Sequence, residues 1–195
     1  MDTDPMAFRS PYSVANRIGR FAWGCVWLVL FRPSPRLPHI FDNWRCMLLR
    51  LFGAKIDGRC IIAPTVRIWA PWHLRIGKDV AIDRGVHLYN AFGLVIGDRV
   101  VISYECELVT ATHDHRTPGY PLTGSQISVE DDCWLAAQAF ICPGVTIREG
   151  CVIAARSVIA RTTDTWQVYA GNPAQAKNKR ILTTGDQLGN GNGGA

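Results

Sequence analysis

The stretch VEDDCWLAAQAFICPGVTIREGCVIAARSVI, residues 129–159, decides the fold. An aliphatic residue stands at every sixth position: Val129, Leu135, Ile141, Ile147, Ile153 and Ile159. The same beat runs upstream through Ile56, Ile62, Ile68, Ile76, Ile82, Leu88, Ile96, Ile102 and Leu108, so that fifteen slots all carry Ile, Leu or Val. A period of six fits neither the 3.6 of a helix nor a two-residue strand alternation. It is the mark of a parallel β-helix made of hexapeptides. Three hexapeptides close one triangular coil, each aliphatic points inward, and it stacks on its counterpart about 4.8 Å away in the next coil.

The fourth residue after each aliphatic is a second inward position, read as Cys60, Val66, Val80, Val86, Val100, Cys106, Thr112, Cys133, Ala139, Val145, Cys151 and Ser157. Four of the seven cysteines fall in it, and no CxxC pair exists, so these thiols are expected to pack as small hydrophobes. Trp72 and Phe92 break the pattern just before the intervals Ile68–Ile76 and Leu88–Ile96, which are eight residues instead of six.

The expected class is all-β, a parallel β-helix with helical caps at both ends. Residues 1–53 form an N-terminal helical cap, 54–171 the β-helix with an extruded loop at 113–128, 172–182 a C-terminal helix, and 183–195 a disordered tail without an apolar anchor. Within the cap, FDNWRCMLLRLFG (41–53) predicts a short helix with Asp42 or Asn43 as N-cap and Gly53 as its stop, covering the open first coil.

The chain of 195 residues is 48% hydrophobic and 19% charged, enough to bury a sizeable core. Of its net charge of +5, a surplus of four lies in residues 1–52. A nucleic-acid binder would spread a basic stripe with aromatics across the fold, so no nucleic-acid partner is expected. FAWGCVWLVLF (21–31), between Arg20 and Arg32, is shorter than the roughly 20 residues a bilayer requires. It reads as an uncleaved amphipathic or capping helix of a cytoplasmic protein; with flanking arginines and Trp23, Trp27 and Trp44 nearby it would also suit an interfacial helix, with peripheral contact to the inner membrane surface through residues 17–36.

The beat stops at TATHDHRTPGYPLTGSQ, residues 110–126. Leu108 to Val129 spans twenty-one residues where six would serve, so fifteen are extruded. An insertion in a solenoid is the usual carrier of function. His113 stands at its base beside Thr112, where a rigid coil could hold a general base, and histidine titrates close to neutral pH. Spacing alone favours an ordinary loop histidine over a catalytic one.

The segments FRPSPR, RLFGAKI, RIWAPWHLRIG, LYNAFGLVIGD, TATHDHRTP, CWLAAQAFICPGVTI, AARSVIA and VYAGNPA resemble the hexapeptide acyltransferases, most closely the colanic acid and exopolysaccharide O-acetyltransferases of the maltose and galactoside acetyltransferase group. The resemblance implies a left-handed helix and a homotrimer with clefts between adjacent chains. Acetyl-CoA would be the co-substrate, no metal would take part, and His113 would be the base that takes a proton from an acceptor hydroxyl. It carries Trp134, Ala137, Ala155 and Arg156 over to the pantetheine arm, and Arg161, Lys177 and Arg180 to the phosphates. Tyr89, Asn90, Asp114 and Tyr120 become acceptor-pocket candidates, for a sugar in an exopolysaccharide or a lipid-linked precursor. Gln175 replaces a frequent cation of the group, and Ala136 and Ala154 replace glycines. Two readings compete: a non-catalytic β-helix scaffold, and a zinc enzyme like the γ-type carbonic anhydrases using His87, His113 and His115. Cys142 lacks a basic neighbour that would make it a nucleophile.

Overall fold

The computed structural model describes residues 12–35 and 40–182. The expected tail 183–195, and residue 36 of the expected membrane-contact stretch, lie outside the described residues.

Short parallel strands stack into three faces. Ile56, Ile76, Ile96, Val129 and Ile147 lie in register on the first face. Ile62, Ile82, Ile102, Leu135, Ile153 and then Tyr169 do so on the second. The third face carries Ile68, Leu88, Leu108, Ile141 and Ile159. All fifteen slots are at most 7% exposed. Each such side chain contributes about 1.5–3 kcal/mol by burial, and that periodic core is why a chain of two- and three-residue strands holds together.

The turns between faces repeat one device. The third residue after the inward aliphatic adopts a left-handed backbone at Asp79, Arg99, Glu105, Asp132, Gln138 and Arg156, with φ between 55° and 60°. A non-glycine residue there costs about 1–2 kcal/mol. Coil-to-coil hydrogen bonds offset it, as where Arg99 N donates to Lys78 O at 2.8 Å and Arg156 N to Ala137 O at 2.9 Å.

The vertex from the third face to the first is where Ile68–Ile76 and Leu88–Ile96 are eight residues long, and the long insertion leaves from it one coil further on. Inside this vertex Ala70, Asn90 and Thr110 are all buried. Asn90 Oδ1 accepts from Ala70 N at 3.0 Å, its Nδ2 donates to Ala70 O at 2.7 Å, and Thr110 Oγ1 donates to Tyr89 O at 2.8 Å. The chain therefore leaves the core after Thr110. Thr112, expected to point inward, is exposed, because the six-residue count does not survive a vertex that inserts its own polar layer.

Two helical segments cover the first coil. Helix α1 (Val14–Val26), capped by the Ser13 side chain, continues through a π turn (Trp27–Phe31) and buries Trp23 and Phe31. Helix α2 (Ile40–Leu51) begins before Asp42, which therefore lies in its first turn and not at the N-cap. Gly53, at φ 89°, ends it as expected. Arg45 is 1% exposed. It pairs with Asp42 and donates to Ile62 O and to Ser34 Oγ.

At the other end the expected C-terminal helix is a strand. Gln167–Gly171 joins the second face beside Val152 and Ile153, and Ala174–Lys179 returns antiparallel against it. The last coil exposes an unpaired strand edge, and pairing that edge satisfies more backbone than a short isolated helix could.

Candidate functional site

Beyond Thr110 the insertion forms a hairpin, Ala111–His113 antiparallel to Leu122–Gly124, with His113 opposite Leu122. Gly124 closes it onto the prism: an added Cβ there would meet Thr110 O at 2.1 Å and the Phe92 ring at 2.6 Å. His113 is thus held by a ladder built on the coil. Its ring is exposed, and Nδ1 lies 2.6 Å from Tyr120 O. A carbonyl oxygen only accepts, so Nδ1 carries the proton and Nε2 presents a lone pair to its surroundings. Tyr120, at φ 47°, turns the chain so that its carbonyl faces the ring while its own side chain is 55% exposed.

Asp114 directly follows the first strand of the hairpin. Its carboxylate accepts from Thr117 Oγ1 at 2.7 Å and from Arg116 N at 2.9 Å, and these bonds hold it below the usual carboxylate range. It ties the loop together. His115 is exposed.

Two acceptor-pocket candidates have other work. Asn90 is 0% exposed with both amide atoms paired to Ala70, which removes it from any pocket. Tyr89 packs edge-on against Trp69 with centroids 4.8 Å apart, and its hydroxyl lies 3.3 Å from that of Tyr12. Burial and the neighbouring Tyr89 push the Tyr12 phenol up to about 12.

The coenzyme candidates divide among places. Trp134, 45% exposed, lies on the second face and donates through Nε1 to Ser103 Oγ at 3.0 Å. Ala137, Ala155 and Arg156 sit at the vertex from the second face to the third, where Arg156 Nε donates to Gln138 Oε1 at 2.7 Å. Lys177 is exposed on the returning edge strand, at its bulge. Arg161 is exposed just past the third face, on the vertex that carries the His113 hairpin. Arg180 departs from expectation: its Nη1 donates to Asp132 O at 2.6 Å and Gly150 O at 3.0 Å, so it pins the vertex between the first and second faces instead of standing free for phosphate.

Ser103 and Gln138, which orient Trp134 and Arg156, were not singled out from the sequence. The register that sets Trp134 beside Val101 would have found the first. Cys142 is half-buried, and burial pushes its thiol up, away from the thiolate a nucleophile needs. Among the described residues no group of three His, Cys, Asp or Glu side chains could hold a metal ion.

His113 and the second face do not meet within one chain. In a triangular prism the vertex between the third and first faces is the one opposite the second face. That second face also presents a stripe of apolar residues outward, Ile61, Ala81, Val101, Trp134 and Val152, with Ile61 at 44% and Val101 at 43% exposed.

The family model described as bacterial transferase hexapeptide (six repeats) matches residues 127–161. The chain is 36% identical over 179 residues to a protein of Escherichia coli (strain K12) named "Putative colanic acid biosynthesis acetyltransferase WcaF", covering 92% of this chain and 94% of that one. Among solved structures it resembles the hexapeptide-repeat acetyltransferase VCA0836 of Vibrio cholerae O1 biovar eltor complexed with acetyl coenzyme A, at TM-score 0.76 and 23% identity over 91% of this chain and 95% of that one. A maltose O-acetyltransferase from Clostridium difficile 630 gives TM-score 0.76 at 20% identity, over 91% of this chain and 96% of that one.

Proposed function

The chain belongs to the hexapeptide-repeat acetyltransferases, which fold as left-handed parallel β-helices, and from that premise we propose that it moves an acetyl group from acetyl-CoA to a sugar hydroxyl with His113 as general base. The observation that carries this reading is the Nδ1 contact to Tyr120 O, which fixes the ring and leaves Nε2 as a free acceptor on an exposed hairpin. Nε2 takes the proton of the acceptor hydroxyl as its oxygen attacks the thioester carbon. The C–S bond then breaks, and the imidazolium returns its proton to the departing thiolate, so no acyl-enzyme forms. An alcohol is a poor nucleophile at neutral pH, and a positioned base of this kind contributes about 10²- to 10⁴-fold.

The site is completed by a second chain in a homotrimer. The apolar stripe on the second face supports this, as does the placement of His113 on the vertex away from that face. With chains arranged head to tail around a threefold axis, the hairpin of one chain meets the face carrying Trp134, Ala137, Ala155 and Arg156 of its neighbour. The pantetheine arm then lies along that face, with Arg161 and Lys177 as the free cations for its phosphates. Tyr120 and Asp114 border the acceptor side. The acceptor class, an exopolysaccharide unit or a lipid-linked precursor, is supported by the name of the E. coli relative.

The test is free-thiol release from acetyl-CoA with a panel of sugars and lipid-linked oligosaccharides. Acceptor-dependent release that disappears in His113→Ala, with coenzyme binding retained, is expected. Coenzyme binding without turnover on any sugar contradicts the reading, and neither binding nor turnover favours a scaffold.

A further inference from the structure

Helix α1 is seated on the prism by one face and carries an apolar surface on the other. On the seated side Trp23 Nε1 donates to Ile68 O at 2.7 Å, Trp27 Nε1 donates to Val66 O at 2.8 Å, and Gly19 lets the Trp72 ring approach closely. Arg20 stacks over the rings of Tyr12 and Trp69, 4.6 and 4.4 Å from their centroids. On the outward side Val14 is 70% exposed, Ile18 64%, Phe21 75%, Leu28 56% and Val29 66%. Positions 14, 18, 21, 25 and 28 fall on one helical stripe, and Cys25 in that stripe is also exposed. Arg17 is the one charged side chain on this outward face between Val14 and Leu30.

We propose that α1 and its π turn lie in the plane of an anionic phospholipid surface, with this stripe sunk among the acyl chains and Arg17 at the headgroups. The charge pattern selects lipid over protein. Residues 5–41 contain no Asp or Glu and five arginines, Arg9, Arg17, Arg20, Arg32 and Arg36. An anionic bilayer matches such a segment, whereas pairing two copies of it would set arginine against arginine without a carboxylate to separate them. The other apolar surface, on the second face, is the one assigned to contact between copies. Among the described residues no helix is long and apolar enough to cross a membrane, so the segment lies on the surface.

Between α1 and the third face runs an open groove of about 840 Å³, lined by Ile18, Phe21, Trp23, Arg67 and Trp69. Trp69 stacks on Tyr89, and Tyr89 is in register with Val109, the residue before the chain turns out toward His113. Two strand spacings, about 10 Å along the prism axis, separate the groove from the start of the hairpin. If the proposed transfer is right, a lipid-linked acceptor held at the surface would enter from this side. The membrane docking itself does not depend on that reaction.

The experiment is flotation of the full chain with vesicles of phosphatidylcholine alone and of phosphatidylcholine with phosphatidylglycerol, at low and high salt. Salt-sensitive binding to the anionic vesicles is expected, weakened at least tenfold in Ile18→Asp/Phe21→Asp and severalfold in Arg17→Glu, with thermal melting and oligomer mass unchanged. No binding to anionic vesicles, or binding indifferent to these substitutions, overturns the proposal. A fall in oligomer mass in the double variant also overturns it, because α1 would then be covered by a second copy. Thiol release with a soluble sugar, measured on Val29→Asp, whose exposed side chain lies outside the lining of that groove, reports the reaction separately and is expected to stay at the wild-type rate.

Discussion

His113 shows how little a single residue needs from the protein around it to become useful. One carbonyl, from Tyr120, selects the tautomer, and a three-pair ladder holds the ring in place. His113→Ala is expected to lower kcat by about 10²- to 10⁴-fold while leaving the KM for acetyl-CoA near its wild-type value, which steady-state kinetics would read. Asn90 is the opposite case, a polar residue near the site that serves the fold. Replacing it by Ala leaves the Ala70 N–H unpaired in the core, while the Ala70 C=O keeps the bond from His73 N, so Asn90→Ala should destabilise the protein by about 1–3 kcal/mol in thermal melts with no change in acceptor KM. A change in acceptor KM without loss of stability would return Asn90 to the pocket.

At the scale of elements, the strands were legible because each repeats one rule, an inward aliphatic every sixth residue, and the rule is enforced by burial. The vertex beside the hairpin was not, since Ala70, Asn90 and Thr110 form a polar layer whose hydrogen bonds leave no trace in an apolar count. The same limit explains Thr112, assigned inward by counting and exposed in fact. The C-terminal segment misled for another reason. Ala174–Lys179 has the composition of a helix, but an open strand edge lay within reach of it. Arg180 looked like a phosphate cation because its carbonyl partners, Asp132 and Gly150, are distant in sequence. Helix α2 depends on a buried cation: Arg45 joins Asp42, Ile62 and Ser34. Arg45→Leu should cost about 3–5 kcal/mol, because it strands a partly buried carboxylate and a buried carbonyl. Melting unchanged within a degree or two would mean that α2 caps the prism without this tie.

At the scale of the whole molecule, the prism separates the proposed base from the surface proposed for the coenzyme, so function and assembly become one question. Val101→Glu, on the outward stripe of the second face, is expected to yield monomers by light scattering and to abolish transfer although His113 is untouched. Full activity in a monomeric Val101→Glu protein would confine the site to one chain. The most direct measurement mixes two inactive proteins, His113→Ala and Ala155→Glu, after dissociation and reassembly. If each site takes its histidine from one chain and its coenzyme face from the next, a one-to-one mixture should regain about a quarter of the wild-type rate, the chance that a site draws both intact halves. Hybrids that form but remain inactive would contradict the shared site.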